Sequence, residues 1–79
     1  MLQIRIVSNN GTVYEDKVVH ATFPGELGSF AIYPMHAPII STLVAGNIAC
    51  FTAGGEKKTI PVRSGFVEVS ADRITACIE

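Results

Sequence analysis

Turn-forming residues interrupt this chain so regularly that no window is left for a helix of useful length. Asn9-Asn10-Gly11, Pro24-Gly25, Pro34 and Pro38, Ala45-Gly46-Asn47, Ala53-Gly54-Gly55, Ser64-Gly65 and Ala71-Asp72-Arg73 cut it into short pieces. Within the pieces the side chains follow a period of two. Leu2, Ile4 and Ile6 alternate with Gln3, Arg5 and Val7, while Ile74, Ala76 and Ile78 share one face near the end. Asn10-Gly11 is a strong hairpin signal, because both residue types tolerate positive φ. Thr12 to Tyr14 begins the return strand, Glu15-Asp16-Lys17 reads as a charged bend, and Lys17 to Phe23 resumes the strand with Val18, Val19 and Thr22. Pro24-Gly25 predicts a type II turn. Further strands are expected at Ser29 to Ile32, Ile39 to Val44, Ile48 to Phe51, Lys57 to Val62, Phe66 to Val69 and Ile74 to Ile78. Pro61 and two lysines mark the Lys57 strand as peripheral. The pattern predicts an all-β chain: one domain, residues 1–79, folded as an antiparallel β-sandwich or flattened barrel of about ten short strands.

The distribution of charge is the second constraint. From Leu27 through Gly55 there is no Asp, Glu, Lys or Arg, and charged residues make up 16% of the chain against a usual ~25%. A membrane helix needs about 20 consecutive apolar residues. Pro34, Pro38 and Gly46 break this run, and Ser29, Ser41, Thr42 and Asn47 make it polar in places, so membrane insertion is not expected. A charge-poor segment in a small domain reads instead as the centre of a protein interface. The rigid loop between Pro34 and Pro38, which carries Met35 and His36, has the character of a contact surface. With a net charge of −1 and scattered basic residues, the chain offers no footprint for nucleic acid.

Reactive chemistry is sparse. The only cysteines, Cys50 and Cys77, fit no zinc or disulfide spacing and lie in alternating apolar runs, so both are expected as small buried side chains in a reducing compartment. There is no nucleophile elbow, phosphate loop or His-x-His pair, so no catalytic residue, metal ligand or cofactor is assigned. His36 suits an interface or a structural hydrogen bond equally, and Met35 either meets a partner or folds back on the sandwich. His20 is expected half-exposed in mid-strand. A free-standing ligand-binding β-barrel is the alternative reading. Side chains would fill the interior of so small a barrel, which argues against it.

The stretch PGELGSFAIYPMHAPII, followed by SGFVEVSADRITACIE, resembles the N-terminal domain of the epsilon subunit of F-type ATP synthases over nearly the whole chain. The resemblance implies a ten-stranded β-sandwich at the foot of the rotating central stalk. This domain would grip the gamma subunit, rest on the polar loops of the membrane c-ring, and catalyse nothing. It also implies a place in a peripheral complex on the cytoplasmic face of the bacterial plasma membrane. Positions matching the gamma-facing ones are Ser8, His36 and Ser41, and those matching the c-ring-facing ones are Gly28 and Ser29. Ser29 stands where an acidic residue is common, Ala31 and Ser64 where glycines are, and Met35 where Gly-His is usual. Many relatives continue into a C-terminal helical hairpin that can bind ATP. Since this sequence ends at Glu79, neither hairpin nor nucleotide site is expected.

Overall fold

The computed structural model describes residues 1–79 as nine strands and no helix. They are β1 (Leu2–Ser8), β2 (Gly11–Val18), β3 (His20–Gly25), β4 (Gly28–Ile32), β5 (Ile39–Leu43), β6 (Gly46–Phe51), β7 (Lys57–Val62), β8 (Gly65–Ser70) and β9 (Arg73–Ile78). Hydrogen bonding links them in the order β2-β1-β9-β8-β5-β3-β6-β7, with β4 on β3. The ladder folds over on itself at β3. The first half of β3 pairs with β6, and Gly25, at its end, pairs with Leu43 of β5. A strand that changes sheets in this way is how sandwich corners are made. Two layers result, β2-β1-β9-β8-β5 and β4-β3-β6-β7. Between them lie Leu2, Ile4, Ile6, Phe23, Ile32, Ile48, Val67, Ile74 and their neighbours, a cluster of 17 buried apolar residues.

Four expectations shift. There are nine strands rather than about ten, since β2 runs unbroken through Glu15-Asp16-Lys17. Those residues lie in register against Arg5, Ile4 and Gln3, and the chain bends at Val19 instead. Opposite charges at Arg5 and Glu15 favour that pairing. The pairing is antiparallel except between the first and last strands, β1 and β9, which run parallel. Such neighbours need a long connection, and here the other strands supply it.

Pro24-Gly25 is the buried end of β3, and the turn falls on Glu26-Leu27. A Cβ on Gly25 would lie 2.7 Å from the Phe30 ring, so glycine serves close packing there. The expected Ala45-Gly46-Asn47 turn is a corner at Val44-Ala45, with Gly46 already in β6. A Cβ at Gly46 would lie 2.8 Å from Pro24 Cβ. Gly65, with φ +148, is the most constrained glycine, because an added Cβ would meet the Cys77 carbonyl oxygen at 2.1 Å.

Candidate docking surfaces

The register gives the content of each outer face. On the β2-β1-β9-β8-β5 sheet, Glu15, Arg5, Thr75, Glu68 and Ile40 lie side by side in one row, and Lys17, Gln3, Arg73 and Ser70 in the next. A third row is uncharged: Val7, Cys77, Phe66 and Thr42. Phe66 and Ile40 are exposed, at 50% and 73%.

The outer face of β4-β3-β6-β7 is different. Thr22 lies between Ala31 and Ala49, with Thr59 beyond, while Ser29, Asn47 and Pro61 occupy the next level. At the other end the His20 ring is sandwiched between Tyr33, at 4.9 Å, and Phe51, at 4.1 Å, with the Lys57 ammonium 5.7 Å from the Phe51 centroid. Near-parallel rings in a row form a flat apolar shelf. Within these strands Lys57 is the only charge on the face.

The Pro34–Pro38 loop is held in place by the β8–β9 turn. Met35 sits at φ 66 and its N–H donates to Asp72 Oδ1 at 2.7 Å, which leaves the methionine side chain 90% exposed. Asp72 itself lies in a two-residue turn, where Ala71 and Asp72 have φ 51 and 59, and its carbonyl accepts the Gln3 N–H. This one residue therefore ties β1 and the Met35 loop to the end of β8. His36 is exposed, and its Nδ1 donates to the Ala37 carbonyl at 2.7 Å, which leaves Nε2 free.

The five residues singled out from sequence do not form one patch. Gly28 and Ser29 follow the tip of the β3–β4 hairpin, beside a wholly exposed Leu27. Ser8 ends β1, one residue beyond the Val7–Cys77 pair, and its Oγ accepts the Asn10 N–H at 3.2 Å. His36 precedes Ile39, which pairs with Val69 at the opposite end of that layer. Ser41 lies between them on β5, half-buried. The sequence reading missed Tyr33, Phe51 and Asp72. Phe51 and Tyr33 had a local signal, an aromatic beside each sheet position opposite His20, but it becomes visible only once the register is known. Asp72 had none, since it acts on Met35 37 residues away.

The titratable groups are dispersed. Cys50 is buried, and desolvation first, then the nearby Asp16, pushes its thiol up to about 11. Tyr14 is raised by burial and then by Asp16, to which its hydroxyl donates at 3.3 Å. Cys77 is half-buried on the outer face rather than in the core. No group of three or more His, Cys, Asp or Glu side chains gathers in a metal-binding arrangement. The interior is filled by its own side chains, and the concavities are open depressions around Ile40, Glu68 and Ser70.

Residues 1–79 match the family described as the ATP synthase delta/epsilon chain, β-sandwich domain. The ATP synthase epsilon chain of a Sulfurovum species is 32% identical across all of this chain and 62% of its own length. That of a Nitratiruptor species is 37% identical over 99% of this chain and 60% of its own. The chain thus spans less than two thirds of these relatives. Among solved structures, a chain of the Euglena gracilis mitochondrial ATP synthase (OSCP/F1/c-ring) superposes with a TM-score of 0.91 at 15% identity, covering 98% of this chain and 49% of that one. A chain of the Tetrahymena thermophila mitochondrial ATP synthase central stalk and c-ring gives 0.80 at 15%, covering 98% and 62%. At such identity these two speak for the fold. Family match, relatives and sandwich agree: the chain belongs to the ATP synthase delta/epsilon family and carries its β-sandwich domain.

Proposed function

We propose that this chain serves as a non-catalytic central-stalk subunit of an F-type ATP synthase. It links the gamma subunit to the membrane c-ring so that ion-driven rotation is coupled to ATP synthesis. The observation that carries the reading is the outer face of β4-β3-β6-β7, where Thr22, Ala31, Ala49 and Thr59 form an uncharged surface inside a family of rotary-synthase chains. Interface centres are depleted of charge in this way. Gamma would cover this face and the Pro34–Pro38 loop, with His36 and Ser41 at the margin. Ser8 joins the interface if gamma reaches round the Asn9-Asn10 turn. The β3–β4 tip, with Leu27, Gly28 and the Ser29 hydroxyl, would meet the polar loops of the c-ring, while the backbone edge of β4 behind the tip stays on the gamma side. The complex would sit on the cytoplasmic face of the bacterial plasma membrane.

Co-purification tests this. The domain mixed with a gamma subunit should elute as one complex of fixed stoichiometry. Separate elution at micromolar concentrations of both would refute the assignment.

A further inference from the structure

The open edges of the sandwich are not equally guarded. β2 carries Glu15, Asp16 and Lys17, and β7 carries Lys57, Lys58 and Pro61. Charges and proline are the usual means of blocking unwanted strand pairing. β4, Gly-Ser-Phe-Ala-Ile, has neither, and it pairs with β3 alone; β5, Ile-Ile-Ser-Thr-Leu, is likewise uncharged, but its C-terminal end is tied to β3 and the hairpin by the Glu26 and Val44 N–H groups.

The hydrogen bonding fixes which of its backbone groups are free. Glu26 N–H donates to the Thr42 carbonyl and Val44 N–H to the Pro24 carbonyl. These two bonds flank the Gly25 and Leu43 pair, so Gly25 itself is turned away from β5 and toward β4. The β3–β4 register is regular from Gly25 opposite Gly28 to Ala21 opposite Ile32. Alternation then places Gly28, Phe30 and Ile32 in the ladder and turns the N–H and C=O of Ser29 and Ala31 to the open side. Beyond the ladder to β3, no further hydrogen bond engages this strand.

We propose that β4 is a strand-addition site, at which an extended segment of the gamma subunit pairs with Ser29 and Ala31 and continues the β4-β3-β6-β7 sheet. This rests on the function proposed above and deepens it. The chemistry of the segment follows from the faces of β4. Phe30 stacks on Phe23 at 5.6 Å between centroids and is only partly buried, so the incoming strand brings an apolar residue against its open flank. Toward the other face lies Ala31, which calls for a small uncharged residue continuing the row of Thr22 and Ala49. Backbone bonds supply the affinity in such additions and the alternating pockets the selectivity. A second copy is the poorer occupant, because a stable dimer buries about 1,000 Å² or more and two five-residue strands side by side offer far less.

Amide hydrogen exchange, with and without the gamma subunit, tests the site directly. Ser29 and Ala31 should exchange freely in the isolated domain and slow by about tenfold or more in the complex, as one net hydrogen bond implies. Ala31→Pro removes a donor that the β3–β4 ladder does not use. It should leave the urea midpoint of the domain near that of the wild type while weakening gamma binding by about tenfold. If the domain binds gamma while both amides still exchange freely, this inference fails and the proposed function survives. If both amides become protected in the isolated domain as its concentration rises, the edge belongs to a second copy and the inference also fails. If the wild-type domain binds no gamma at all, the proposed function falls and this inference with it.

Discussion

The two outer faces of the sandwich are built on the same β framework from opposite materials. One sheet carries Arg5, Glu15, Lys17, Glu68 and Arg73 in cross-strand rows, which is how an antiparallel sheet stays in water on one side. The other carries threonine, alanine and an aromatic shelf, and its edge strand β4 is unguarded. Core packing does not require this difference, because both inner faces contribute to a single buried cluster. It concerns what lies outside, so substitutions on the two faces should separate binding from stability.

Gly65 belongs to neither outer surface, so its substitution reads the scaffold alone. Gly65→Ala places a Cβ on the Cys77 carbonyl at a φ that other residues rarely adopt, and should cost about 3 kcal/mol or more in urea unfolding. A loss below about 1 kcal/mol would mean that the β8–β9 ladder relaxes readily and that the charged sheet is softer than its geometry implies.

Thr22→Glu puts a lone carboxylate in the middle of the uncharged face. It should weaken gamma binding about a hundredfold, the equivalent of roughly 3 kcal/mol for a charge left unpaired in a dry interface. Arg5→Glu on the other face should change the affinity by no more than about threefold, as an exposed charge does. Titration calorimetry on both variants reads the difference, and equal losses would erase the distinction.

The two cysteines contrast the inside of the sandwich with its outside. Cys50 is a buried acid whose folded pKa, about 11, exceeds its ordinary value of 9.0. The unfolded chain therefore loses this proton first as the pH rises. The corresponding stability is full below pH 9 and declines between pH 9 and about 11. Cys50→Ala should flatten that part of the alkaline stability curve. A thiol reagent at neutral pH should modify Cys77 well before Cys50. Equal labelling rates would show that the β6 core opens as often as the surface is exposed.

Much of the architecture is legible along the chain. Lys57–Val62 appears with the bounds expected, and β4, β5, β8 and β9 lie within a residue or so of theirs, because turn residues and period-two alternation act locally. Where structure and local pattern differ, a partner strand overrides local propensity: Pro24-Gly25 carries turn chemistry and Glu15-Asp16-Lys17 the charge of a bend, yet both lie in ladders. Gly25 is needed to clear the Phe30 ring, and Glu15-Asp16-Lys17 is held straight by its ladder to Arg5, Ile4 and Gln3. The candidate site was less legible. The charge-free segment mixes core residues such as Ile32, Leu43 and Ile48 with surface ones such as Ile40 and Met35.

Strand formation, the filled apolar interior and the concentration of charge outside Leu27 to Gly55 follow from residue type and short-range spacing along the chain. That β1 and β9 lie parallel, that His20 is held between Tyr33 and Phe51, and that Ser29 and Ala31 keep free backbone groups at an open edge emerge only when the strands are paired. Those depend on register, and register is set by pairs of residues far apart in the chain, where a shift of one position exchanges the inner face for the outer.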